Sequence, residues 1–292
     1  MDFLLYWPSS LQVTFVLVAF SSLSVLGLYL VRSLVPLEKL KKNHEVAGFT
    51  FGVLGAFYGL LLAFVIVAVW QRYEQADALV QTEAMSLTSL YRLSKGFAEP
   101  AATEMQQALR TYTHNVIDIQ WPAMANNEIV DTSVGPLRLW EIVARYRPED
   151  SRHLMLVDKS FDQLSQISEG VSLRYLYSRE NLPSVVWLVI YAGLVITIGF
   201  SYFFGLETFY SQALMCAVFS SLLGLTLLAI LELAHPYQGS VTVSDVPFRF
   251  ALVRMDALDK VALGDTGSDT GSGQISAAES ESLDFASRNS NR

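Results

Sequence analysis

The sequence predicts an all-α integral membrane protein: four transmembrane helices with a membrane-proximal helical bundle, the second helix long and continuous into that bundle. Three observations carry this. Four stretches hold no Asp, Glu, Lys or Arg: Leu11–Val31, Ala47–Trp70, Val185–Phe204 and Ala213–Leu231. Each matches the roughly 20 apolar residues that a helix needs to cross a hydrocarbon core. The other 208 residues carry all 48 charged side chains, an ordinary density for water-exposed chain. Finally, the segment between the second and third stretches repeats its apolar residues at helical spacing.

The elements follow in order. Trp7-Pro8 places an interfacial aromatic and a helix start ahead of the first span, 11–31. That span lacks a basic leader and a small-x-small cleavage pattern, and is read as retained. The second span, 47–70, meets no stop signal, since Gln71-Arg72-Tyr73-Glu74 continues without Gly or Pro to Lys95. Residues 1–70 therefore hold the first transmembrane pair, and 71–184 a helical extramembrane domain. In it, Glu99-Pro100 opens a helix whose Met105, Leu109, Tyr112, Val116 and Ile119 share one face, ended by Trp121-Pro122. Pro136–Tyr146 reads as a short helix with Leu137, Trp140 and Val143 inward. A long helix from about Pro148 to Tyr177 buries Leu154, Val157, Phe161, Leu164, Ile167 (or Ser168) and Val171. Eight residues join spans 185–204 and 213–231, so residues 185–231 form a hairpin. The segment 232–263 contains a short alternating run at Val241-Thr-Val and an amphipathic helix over Phe248–Val261. Residues 264–292 are rich in Gly and Ser and predicted to be disordered.

Charge narrows the function. A net charge of −8 argues against a nucleic-acid partner. Cys216, the single cysteine, lies in a span, so neither an internal disulfide nor a cysteine-based zinc site forms. His44, His114 and His153 are scattered, no nucleophile elbow or phosphate loop occurs, and no metal, cofactor or enzymatic activity is expected. Asp158 and Asp162 lie one turn apart on a polar face. Arg32, Lys39, Lys41 and Lys42 fill the first loop, which the positive-inside rule assigns to the cytoplasm and the helical domain to the outside of a bacterial inner membrane. Arg72, Arg174, Arg179, Arg249 and Arg254 lie near the opposite ends of the spans and weigh the other way.

No ionisable group lies deep in a span, which argues against a coupled pump but not against a channel with an apolar gate. In the second span Gly48, Gly52, Gly55, Gly59 and Ala63 share one face, a pattern that lets another backbone approach closely. That face either packs against the chain's own first or third span or forms a subunit interface around an axis. In the second case Gly52, Gly55, Gly59, Leu62, Ile66 and Trp70 line or pack the axis. At the membrane edge Arg72, Glu74, Asp77, Glu83, Glu232 and His235 are either a solvated face and cap, or a ring that selects or gates ions. Thr197, Ser201, Ser220, Ser221 and Gly224 either line a path or satisfy themselves on their own helix.

The series Gly52-Val-Leu-Gly55-x3-Gly59-Leu-Leu-Leu-Ala63-Phe64, Trp70-x2-Tyr73 and Val80-x2-Glu83-Ala84-x5-Leu90-Tyr91-Arg92 resembles the bestrophin-like family of membrane proteins. So do Phe203-Phe204-Gly205, Gln212-Ala213-Leu214-Met215, His235-Pro236-Tyr237-x-Gly239, Val243-Ser244 and Pro247-Phe248. The resemblance covers most of Gly48–Leu258. It implies distant kinship with bestrophins, pentameric anion channels whose second helix lines the pore and continues into a helical domain. It thus points to a homo-oligomer in the lipid bilayer that passes inorganic anions, with a non-conducting scaffold or sensor as the competing class. Bestrophins keep that domain in the cytosol, opposite to the charge count above. No acidic cluster matches their calcium clasp, so calcium gating is not implied.

Overall fold

A computed structural model of the chain describes residues 5–35, 44–179, 182–203 and 208–264. The basic first-loop residues Lys39, Lys41 and Lys42 and the tail from 265 lie outside them. Among the described residues the regular structure is helical. The helices are α1 (Ser9–Leu34), α2 (His44–Ser94), α3 (Ala101–Asn115), α4 (Trp121–Ala125), α5 (Val134–Arg145), α6 (Ser151–Arg179), α7 (Ser184–Ser201), α8 (Phe209–Ala234) and α9 (Val246–Gly264). The Val241-Thr-Val run forms no strand. The chain divides within α9, between Leu252 and Val253, into two compact units.

Four helices are long and apolar enough to cross a membrane, and they hold the first, second and fourth charge-free stretches whole and the third as far as Ser201. α2 is a single helix of 51 residues, about 75 Å at 1.5 Å per residue. No Gly or Pro interrupts its extramembrane half, so the span is mechanically continuous with the domain beyond it.

Within the spans, small and hydroxyl-bearing residues bring antiparallel α1 and α8 together. The Ser21 and Ser221 hydroxyls are 2.7 Å apart, Ser24 donates to the Cys216 carbonyl at 3.3 Å, and Ser220 donates to the Phe20 carbonyl at 3.2 Å. At one end Arg32 donates to Gln212 Oε1 at 2.6 and 3.0 Å. With no hydrophobic drive between helices in lipid, such contacts and close backbones hold a bundle. α2 joins through Tyr58, whose hydroxyl donates to the Ile190 carbonyl at 2.8 Å, and which packs with Leu62, Val69, Leu223, Leu227 and Ile230.

Outside the membrane, α2 pairs antiparallel with α6. Gln75 meets Tyr177, Glu83 meets Gly170 and Ser86 meets Gln166, so the register is constant along the pair. On α2 the buried positions Val69, Ala76, Val80, Glu83, Leu87, Leu90 and Ser94 keep a seven-residue beat; on α6 Ser160, Leu164, Ile167, Val171 and Arg174 do the same.

The structure corrects three expectations. Trp121-Pro122 does not end the third helix. The chain passes through a π-helical turn, Val116–Gln120, into α4, where Pro122 occupies the first turn and its missing N–H costs nothing. The wider turn shifts the phase of the face, so Ile119, expected inside, is 52% exposed, while Ile117 and Gln120 turn in. α5 begins at Val134, and Leu139, Ile142 and Val143 face inward; Leu137 is 63% exposed. Trp140 spans the edge of that face, packing on Phe161 and donating from Nε1 to Ser168 Oγ at 2.9 Å. α6 starts at Ser151, and Leu154, in its first turn, is exposed.

Gly170 permits the close approach of α6 to α2, because a Cβ there would lie 3.1 Å from Glu83 Cβ and Cγ. Gly170→Leu should therefore destabilise the fold by about 1–3 kcal/mol through overpacking, read as a lower Tm in detergent; an unchanged Tm would contradict the register.

Candidate functional site

The glycine face of α2 is open among the described residues: a Cβ built on Gly52, Gly55 or Gly59 meets nothing within 4 Å there. Phe49, Phe57, Phe64 and Val67 are exposed alongside, and Trp70 is 50% exposed at the end of the span. The structure divides the expected axis set. Leu62, only 6% exposed, belongs to the chain's own core with Tyr58 and Ile190, and Ile66 packs against that core. Gly52, Gly55, Gly59 and Trp70 remain on the open side.

The expected membrane-edge charges do not form one cluster either. Glu74 is exposed, Asp77 accepts from Gln81 Nε2 at 2.8 Å one turn further along the same helix, and Arg72 stacks over the Tyr177 ring. Glu83 instead lies at the centre of the helical domain, fully buried, and its partner is Arg174, 1% exposed. Arg174 Nε donates to Glu83 Oε2 at 3.0 Å and Nη2 donates to Oε1 at 3.2 Å. Tyr112 donates its hydroxyl to Glu83 Oε1 at 2.6 Å, and Gln120 Oε1 accepts from Arg174 Nη2 at 2.9 Å. The rings of Trp121 and Phe248 flank the guanidinium at 5.9 and 5.6 Å. Burial works against the Arg174 charge, but the Glu83 carboxylate outweighs it and holds the guanidinium above its ordinary range. Burial pushes the Tyr112 hydroxyl well up, and the negative charge of Glu83 pushes it further.

Glu232 and His235 also turn inward. Glu232 Oε2 accepts from the Ser240 N–H at 2.9 Å, the Ser240 hydroxyl at 3.2 Å and the Val241 N–H at 3.1 Å, which folds the post-span loop back on α8. Its Oε1 is buried without a hydrogen-bond partner. His235 Nδ1 donates to the Leu231 carbonyl at 2.9 Å as a helix cap. Gly239 is required twice over: its φ is +92°, and a Cβ would lie 2.6 Å from Glu232 Oε2. Among the described residues, no three His, Cys, Asp or Glu side chains converge as metal ligands. Ser201 bonds to its own helix, Ser220 and Ser221 to α1 or their own helix, and Gly224 packs against Phe20.

In the sequence Arg174 reads as one of the charges near the spans and Glu83 as a membrane-edge charge, with nothing pairing them. The signal was there: each sits at an apolar phase of its helix, where a charge must be compensated.

The fold has known counterparts. Residues 18–248 match the family model of the Bestrophin-like domain. A bacterial bestrophin homologue from Klebsiella pneumoniae, carrying an isoleucine-to-threonine substitution, superposes with a TM-score of 0.65 at 12% identity, over 84% of this chain and 99% of that one. Another structure of a Klebsiella pneumoniae bestrophin homologue gives 0.62 at 14% identity, over 82% and 98%. A membrane protein with a proline-to-alanine substitution gives 0.64 at 12%, over 85% and 98%. No curated protein matches the sequence.

Two outcomes follow from the buried pair. Arg174→Ala strands the Glu83 carboxylate and should cost about 3–5 kcal/mol, measured by thermal or denaturant unfolding in detergent; a loss under 1 kcal/mol would mean that the pair is solvated. Above pH 10, the ordinary tyrosine value, the unfolded chain releases the Tyr112 proton while the folded chain keeps it. Stability then falls as pH rises, by up to about 1.4 kcal/mol per pH unit for each such group. Tyr237, also pushed up by burial, adds a loss of the same sign. Tyr112→Phe should flatten the alkaline decline; an unchanged slope would remove Tyr112 as its source.

Proposed function

This chain belongs to the bestrophin-like family, and from that membership and the open glycine face of α2 we propose that it assembles with copies of itself into a membrane channel that conducts anions. The face carries the reading. Glycines on which a Cβ would meet nothing among the described residues leave room for another copy's backbone or for a path along an axis. A closed ring needs a heterologous contact repeated by rotation, and α2 offers one flank to its own core and the other to a neighbour. Without an ionisable group deep in the spans, walls of Gly, Ala and Trp70 gate by wetting and by aperture rather than by tight ion binding. The preference for anions and a count of five copies rest on family kinship. The loop charges favour a bacterial inner membrane with the helical domain outward, opposite to the cytosolic domain that kinship implies.

Chloride flux from liposomes holding purified, oriented protein tests it. Because Gly55 and Gly59 have open space in the chain, Gly55→Leu and Gly59→Leu should leave the subunit folded while abolishing assembly, and flux should drop to that of protein-free liposomes. A variant that assembles and conducts as the wild type does would move the axis elsewhere. An assembled wild type that passes no anion would favour the scaffold or sensor.

A further inference from the structure

Six parts of the chain converge on one carboxylate and one guanidinium: α2 through Glu83, α6 through Arg174, α3 through Tyr112, the π-helical turn through Gln120, α4 through Trp121 and the start of α9 through Phe248. A fully buried ion pair is a poor source of stability compared with apolar packing of the same volume; what it does well is select one arrangement over its neighbours. Here it does so in a geometry that few displacements would satisfy. Two parallel hydrogen bonds fix the guanidinium plane against the carboxylate, and the aromatic rings flank it. The helix that carries Glu83 is the one that carries the glycine face. Twelve residues of unbroken helix lie between Trp70 and Glu83, a rise of about 20 Å. A helix without a hinge passes a tilt or shift at one end to the other, and displacements of about 1–2 Å are the ordinary currency of helix switching.

We propose that the Glu83–Arg174 pair is the joint that sets the tilt of α2 relative to the helical domain, and so fixes the aperture at the glycine face. Arg174 is on this account a positioning residue: it touches no permeating ion and acts through α2. The pair ties the start of α9 to the same point through Phe248, so a force applied there reaches α2 through this joint. The proposal rests on the channel reading for its effect on flux. Its claim about the position of α2 stands apart from conduction.

The double variant Glu83→Met/Arg174→Met tests it, because apolar replacement of both partners keeps the volume filled and strands neither charge. Spin labels go on Gln81→Cys of α2 and Leu137→Cys of α5, both exposed, in a Cys216→Ala background. Labelled chains are diluted with unlabelled ones so that only distances within one chain are read. The expected result is an assembled protein with a broadened or displaced label distance, and a chloride flux per assembled complex changed by about fivefold or more. Wild-type distances and flux in the assembled double variant would overturn the proposal. If the double variant fails to assemble, Tyr112→Phe, which removes only the hydroxyl on Glu83 Oε1, should give the same displacement to a smaller degree; a wild-type distance there would overturn it equally. If the wild type conducts no anion, the channel reading falls, and the label distance alone decides for or against the joint.

Discussion

Removing a carboxylate and a guanidinium from water costs several kcal/mol for each ion, and only close pairing with every remaining polar group occupied repays it. Glu83 and Arg174 meet that condition in the middle of the helical domain. The rest of the domain is arranged around the requirement. Gly170 lets α6 come close enough for the pair to form. The π-helical turn rotates Gln120 inward to accept from Arg174. Tyr112 occupies Glu83 Oε1, and Trp121 and Phe248 exclude water from the guanidinium faces. The seven-residue beat of α2 and α6 supplies the apolar packing on either side of the pair, and with it the burial free energy.

The membrane part obeys a different rule. Lipid gives helices no reason to hide apolar surface, so the bundle is held by close backbones and by hydroxyls that find carbonyls or one another. Ser21, Ser24 and Ser220 do this between α1 and α8. Tyr58 does it between α2 and α7, seated where Gly193 has no side chain. The glycines of α2, like Gly199 of α7, leave space that no described residue fills, and the functional reading turns on the α2 series because three of them share one face. One continuous helix joins the two regimes, packed by charge and heptad outside the membrane and by Tyr58, Leu62 and Val69 inside it.

Much of the architecture was legible in the sequence because its cause is local. Charge-free length identifies a span, and α2 was visible as a single helix from the lack of Gly, Pro or a cap after Trp70. The face of α3 was legible up to Val116 and failed at Ile119, where the π turn changes the residues per turn and no side chain announces it. Leu137 misled because a short helix holds too few turns to fix its phase. Leu62 lies about 60° round the helix from Gly59, near enough to join the face on paper and far enough to enter the core.

The sequence by itself determined the class of protein, the number and length of its spans and the rigidity of the second helix, because each depends on residues near one another in the chain and on the thickness of a bilayer. Only the tertiary structure decided that Glu83 and Arg174, 91 residues apart, share one buried site, and that Gly52, Gly55 and Gly59 meet none of the described residues. A buried charge is tolerable in several pairings and a small-residue face accepts several neighbours. Which one is realised depends on how the helices meet, a property of the packed whole that no local pattern encodes.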